Sequence, residues 1–307
     1  MCRGVFVRPE VVGGVGPAAD RRRLAATTAA AVLATPGAVA SHASAAVLAD
    51  LPVWRLPKRP CITLPPGRTG DASVAHLHRA GMLDRHRRPA GALIRTSADR
   101  AVCDLAREHG IEDAVVVADA ALRRGMVVPE GLDRCLVECA RWPGIRRARA
   151  AIERVDGRSE SPLETVSRLR LADVGTPHPH LQPELFTTYG EWLGRVDFYW
   201  DEYGVVGEVD GKVKYTEAPD PDVLWDEKLR QERLEDAGLI VVRWGRAQLR
   251  DLHRLTERLH NAFARGARRS RADRGWAANP ATLPHESTLS GPGSVLSRSK
   301  VEEAGTA

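Results

Sequence analysis

Three of the five carboxylates in the stretch VDFYWDEYGVVGEVDGKVKY, residues 196–215, fall at one alternation of its two strands: Asp197, Glu208 and Asp210. Lys212 and Lys214 continue at the same alternation as the last two acids. Oxygen donors at this density suit a hard divalent cation, Mg²⁺ or Mn²⁺, which prefers carboxylate ligands and retains waters. A water activated on such a cation, with a lysine ammonium to orient it or to balance a phosphate, is the chemistry of phosphodiester hydrolysis. The competing reading is an open strand face on which the lysines simply pair with the acids.

That chemistry depends on strand register. With DEYG, Asp201 to Gly204, as a hairpin loop, Trp200 faces Val205 and Asp197 faces Glu208. Val196, Phe198, Trp200, Val205 and Val209 then share a buried face, and Asp197, Glu208 and Asp210 share the other. Like charges directly opposite one another destabilise a sheet, so the cluster requires a cation or the uptake of a proton. Gly211 permits a bend just beyond it.

The flanking segments would position the hairpin. SPLE, Ser161 to Glu164, reads as a helix start: serine at the cap, proline at the first helical position, glutamate reaching back. Glu164 is also a candidate acid for the metal edge, and the two roles are compatible. DVLWDEKLRQERLEDAG reads as a helix with Leu224, Leu229, Leu234 and Ala237 on its apolar side and Gly238 as its stop, leading into the strand LIVVRW. Lys228 and Arg230 on that helix are candidate phosphate contacts. Pairs such as Glu227 with Gln231 and Asp226 with Arg230 give the alternative of a solvated face.

A chain of 307 residues with 43% apolar residues suits two domains, and a net charge of +5 is compatible with a nucleic-acid partner. The first half reads as mostly helical α+β. Helices are expected from Arg21 to Leu33, after Ser41, and through TSADRAVCDLAREHG, where Thr96 or Ser97 would cap and Gly110 would stop. Strands are expected in RGVFV, RPCITLPPG and SVAHLHRA, with His76 and His78 on one exposed, solvated face because no third ligand stands near them. RWPGIRRARAAIERVDGR is arginine-rich, and Arg146 and Arg147 are its candidate phosphate contacts.

Five cysteines form no paired framework and suit a reducing cytoplasm. Cys135 and Cys139, spaced i, i+4, read as two buried thiols, since no further Cys or His pair nearby completes a metal site. RRRLAATTAAAVLATPGAVASHASA imitates a secretory signal, but it is rich in Ala and Thr rather than Leu, is broken by Pro36 and Gly37, and starts well inside the sequence, so an ordinary helix is expected and no membrane span. Residues 266–307 are polar and rich in Ser, Gly and Pro, and are expected to be disordered.

Taken together, SESPLETVSRLRL, GRVDFYWDEYGVVGEVDGKVKY and WDEKLRQERLEDAGLIVVRWGRAQL resemble domain of unknown function 559, a PD-(D/E)xK nuclease-like family related to the very-short-patch repair endonucleases. The resemblance covers residues 157–265. It implies an α/β domain with an αβββαβ restriction-endonuclease-like core. Asp197 would be the motif aspartate, Glu208 the second metal ligand and Glu164 the acid of the first helix. Asp210 stands where the motif carries lysine, which leaves that role to Lys212, to Lys214 or to no residue.

Residues 1–156 resemble the AbiEi-type antitoxins of type IV toxin–antitoxin systems, as found in actinobacterial proteins, through SHASAAVLADLP, TSADRAVCDLA, VADAALRRG and WPGIRRARAAI. Such proteins begin with a winged helix, of which RGVFV resembles only the last wing strand, so a truncated or late start is expected. Two functions are implied by these resemblances: a cytoplasmic, metal-dependent DNA endonuclease, or a non-catalytic DNA-binding regulator with a cognate toxin as partner.

Overall fold

A computed structural model describes residues 8–211, 221–268 and 275–278, and its class is mixed α/β, with helices and three sheets. Two compact units divide it: Met1–Pro177 with Val209–Val213 and Trp244–Thr256, and His178–Glu208 with Lys214–Arg243 and Glu257–Ala307. Among the described residues, no helix is long and apolar enough to cross a membrane. The Arg21–Ala45 stretch instead forms the body of one helix, a two-residue strand and the start of a second helix.

The first unit starts with α1 (Pro9–Val12) and α2 (Pro17–Ala34), both entered at a proline, whose missing N–H costs nothing at a helix start. Then come β1 (Val39–Ala40), α3 (His42–Leu48), β2 (Cys61–Leu64), β3 (His76–Arg79), β4 (Arg87–Ala90) and β5 (Leu93–Thr96), which form a sheet in the order β3-β2-β1-β5-β4. The strands expected in RPCITLPPG and SVAHLHRA are β2 and β3, paired in parallel. The strand expected in RGVFV lies outside the described residues.

Five helices complete this part of the chain: α4 (Ala98–Glu108), α5 (Ile111–Arg123), α6 (Pro129–Glu138), α7 (Ile145–Ile152) and α8 (Pro162–Asp173). Val102, Leu105, Val115, Leu132 and Leu169 meet in one core, and each such side chain contributes about 1.5–3 kcal/mol through its burial. Ser97 occupies the N-cap position of α4, but neither it nor Thr96 supplies a capping bond; both hydroxyls are buried without a partner. At the other end of α4, Gly144 comes so close that a Cβ there would sit 2.4 Å from the Arg107 carbonyl oxygen. Its φ of +82° also belongs to glycine. Asp119 of α5 is buried and accepts from Thr165 Oγ1 at 2.8 Å, Arg168 at 2.9 Å and the Asp156 N–H at 2.7 Å, tying α5 to α8. These bonds group α8 with the first unit.

The remaining elements are β6 (His180–Leu181), β7 (Glu184–Thr187), β8 (Trp192–Arg195), β9 (Phe198–Trp200), β10 (Val205–Asp210), α9 (Pro221–Asp236), β11 (Ile240–Gly245), α10 (Arg246–Arg250), α11 (Leu252–Ala267) and β12 (Trp276–Ala278). The expected order of helix, strands, helix and strand appears, but five strands, β6 to β10, rather than three lie between α8 and α9, and the strands fall into two sheets, β11-β10-β9-β6 and β12-β7-β8. The tail is not wholly without structure: β12 pairs with β7, and Trp276 is buried against Tyr199. Its burial explains why an apolar residue interrupts an otherwise polar segment.

Candidate functional site on the acidic hairpin

The hairpin adopts the expected register. Val205 pairs with Trp200, Val206 with Tyr199 and Gly207 with Phe198, and continuing the ladder sets Glu208 against Asp197. The loop closes through Tyr203 N–H to the Trp200 carbonyl, and Gly204 takes φ +59°, where Trp276 also leaves no space for a Cβ. Phe198 and Trp200 stack together, with Trp200 against Phe263 of α11. The opposite face, expected to be polar, is covered as well. Tyr199 and Val206 are fully buried there with Leu185, Leu193, Leu234 and Trp276, and Val196 joins this cluster rather than the Phe198 side. Val209 is half-buried.

Covering that face changes the setting of the acids. Glu208 is 7% exposed, and both of its carboxylate oxygens accept from Arg230 of α9, Oε1 at 3.1 Å and Oε2 at 2.8 Å. Arg230 also donates to Glu227 at 3.0 Å, and Glu227 accepts from Arg243 of β11 at 2.7 Å. The Arg230 stem runs beside Gly194, 3.5 Å from where a Cβ would stand, and its guanidinium reaches the Arg195 carbonyl. Burial pushes the Glu208 carboxyl above its ordinary range, Arg230 opposes this, and the charge of Asp197 adds to the rise. Glu227, despite the cost of its own burial, is held below its ordinary range by Arg230 and Arg243.

Asp197 is half-buried just before β9, where Oδ1 accepts from the Gln182 amide at 3.0 Å and its carbonyl accepts from the Gln182 N–H at 3.1 Å. Asp210 is exposed at the end of β10. Glu164 serves the start of α8: its N–H donates to Ser161 Oγ at 3.2 Å, and its Oε2 accepts from the Glu160 N–H at 2.8 Å. Lys212 and Lys214 lie outside the described residues.

Lys228 is exposed, 3.6 Å from Glu232 and over the Trp225 ring. Arg146 is exposed on α7, whereas Arg147 donates to the Ala106 and Arg107 carbonyls and so satisfies the end of α4. The expected pair of Asp226 with Arg230 gives way to the contacts with Glu208 and Glu227, and Gln231 bonds Glu235 instead of Glu227. Leu229, expected on the apolar side of α9, is 37% exposed.

An all-oxygen donor set is chemically suited to Mg²⁺ or Mn²⁺. The arrangement, however, is charge-balanced by arginine. Both Glu208 oxygens are engaged by Arg230, and among the described residues the groups whose ligand atoms all lie within 4.8 Å are elsewhere: His42, His78 and Glu108, and Cys103, Cys135 and Cys139. As placed, Glu208 is balanced by Arg230, and a cation held by Asp197 and Glu208 would have to displace that guanidinium.

Cys135 and Cys139 are the buried thiols expected, whereas the expectation for His78 is corrected. His76 is exposed as expected, but His78 is not solvated: its side chain is 8% exposed and its Nδ1 lies 2.8 Å from Glu108 Oε2 of α4. Cys103, also from α4, joins the two α6-side thiols. Neither partner could be read from local spacing, because each comes from an element distant in sequence.

No family model matches the chain. Over 158 residues it is 32% identical to uncharacterized proteins of Mycobacterium tuberculosis strains CDC 1551 and H37Rv. The match takes in 52% of this chain and 56% of each relative, so the chain spans about half the length of the curated relatives it matches.

Proposed function

We propose that this chain is a DNA-binding protein whose hairpin domain has a nuclease-like plan but grips DNA without cutting it. The observation that carries this reading is the bidentate bond from Arg230 to both oxygens of Glu208. An acid neutralised in this way has no need of a cation, and Asp210 replaces the lysine that the resemblance would require for water activation. The exposed Lys228 and Arg146 are offered as phosphate contacts, in keeping with the net charge of +5. As a regulator of antitoxin type, the protein would act in the cytoplasm, with a toxin as its further partner.

A second reading is favoured by the facing of Asp197 and Glu208 across the hairpin. In it these two acids hold Mg²⁺ or Mn²⁺, which would supply an activated water for phosphodiester hydrolysis, and Arg230 has to leave Glu208. Binding to labelled duplex DNA in EDTA, monitored by fluorescence anisotropy, tests the first reading. It expects affinity that falls with salt and weakens in Lys228→Ala and Arg146→Ala. A chain that binds DNA only when a divalent cation is added would overturn it.

A further inference from the structure

We propose that His42, His78 and Glu108 bind a divalent transition-metal ion, zinc(II) being the best match, at the wall of a cavity of about 520 Å³. The site lies apart from the acidic hairpin in sequence, and the proposal does not depend on the function offered above. His42 is 1% exposed, at the first position of α3, and its Nε2 is a buried atom with no hydrogen-bond partner. That nitrogen stands 3.5 Å from Glu108 Oε2, and His78 Nδ1 stands 2.8 Å from the same oxygen. Nitrogen and oxygen ligands about 2.0–2.1 Å from a tetrahedral zinc lie roughly 3.3 Å apart, so the cluster needs only a slight opening around the carboxylate.

Three further observations point the same way. His42 Nδ1 is 2.9 Å from the Ser41 hydroxyl, an outer hydrogen bond of the kind that orients a ligating imidazole and reserves its other nitrogen for the metal. His42 also takes φ +53°, a backbone conformation that side-chain-bearing residues hold at a cost and that recurs at functional sites. The His42 and His78 rings stack with centroids 3.7 Å apart. This brings both imidazoles to the same Glu108 oxygen.

Two imidazoles and one carboxylate leave a coordination position open, as in zinc sites that bind water or a ligand. The cavity beyond is lined by Arg100 and Arg107, both over the Trp142 ring, and by Asp104, which accepts from both arginines. Arg100 and Arg107 set against Asp104 and Glu108 leave these four side chains without net charge. Added zinc makes the site doubly positive, so the open position suits water or a small anion.

The test uses the full chain stripped with a chelator, titrated with Zn²⁺ against a chromophoric chelator and with Co²⁺ as a spectroscopic probe. The expected result is tight binding whose Co²⁺ spectrum shows nitrogen and oxygen coordination without sulfur-to-cobalt charge transfer. Affinity should fall at least about tenfold in Glu108→Gln and in His78→Gln, and hold in Cys135→Ser and Asp197→Ala. Glu108 is about one-third exposed, at 34%, so its variant is the safer one to fold, and circular dichroism checks it. Binding retained in Glu108→Gln but lost in Cys135→Ser would assign the metal to the thiols and overturn the proposal. Failure of either metal to compete with the chelator would do the same.

Discussion

Replacing Arg230 by alanine removes both hydrogen bonds to Glu208 and one to Glu227. The Arg230 and Glu208 side chains are 20% and 10% exposed, so the pair is largely out of water. Breaking a buried pair from one side costs about 3–5 kcal/mol, because the remaining charge is left uncompensated. Glu208 limits the loss by taking up a proton, since burial already favours its neutral form. We therefore expect a loss of about 3 kcal/mol at neutral pH, a shift of the urea midpoint of roughly 1–3 M. The variant should regain stability on acidification. A buried acid with a raised folded pKa stabilises below its unfolded pKa, and that contribution is lost as pH rises through the folded value.

Arg230→Met with Glu208→Gln should recover much of the loss, with a coupling energy of about 2 kcal/mol. Tryptophan fluorescence reports the transition, because Trp200 and Trp276 are buried in the same unit as the pair. Stability of Arg230→Ala within about 1 kcal/mol of the parent, or no coupling in the double variant, would refute the ion pair as the answer to the clustered acids.

Two further predictions concern the first unit. Burial raises the Asp119 pKa to about 6, so between about pH 4 and 6 the folded chain holds a proton that the unfolded chain has released. Its contribution, on the order of 3 kcal/mol, therefore falls as pH rises through that window and levels off above it. Carboxyl-carbon NMR should place its titration near pH 6, and Asp119→Asn should remove this part of the pH dependence. Gly144→Ala forces a Cβ against the Arg107 carbonyl and a positive φ on alanine, so a thermal melt should show a loss of about 2 kcal/mol or more.

The hairpin was legible because its signals are local. Alternation fixes which residues share a face, and a glycine at the loop end fixes the turn, so the pairing of Trp200 with Val205 needed no knowledge of the rest of the chain. The cover over the second face was not legible. Tyr199 and Val206 are packed under residues from β7, β8, α9 and β12, and strand alternation carries no record of such long-range partners. The same limit hid the partner of Glu208. Arg230 lies 22 residues further along on a helix, and the rotation of that helix is set by packing. Likewise, His78 reads as solvated until the end of α4 supplies Glu108.

If Arg230 rather than a metal balances the hairpin acids, as proposed, DNA is bound and left intact. The direct measurement is to incubate labelled duplex and single-stranded DNA with the chain in Mg²⁺, in Mn²⁺ and in EDTA, alongside Asp197→Ala and Glu208→Ala. A shifted but uncut substrate is expected in every lane. Cleavage that requires the cation and disappears in both variants would contradict this reading and establish the hairpin as a nuclease centre.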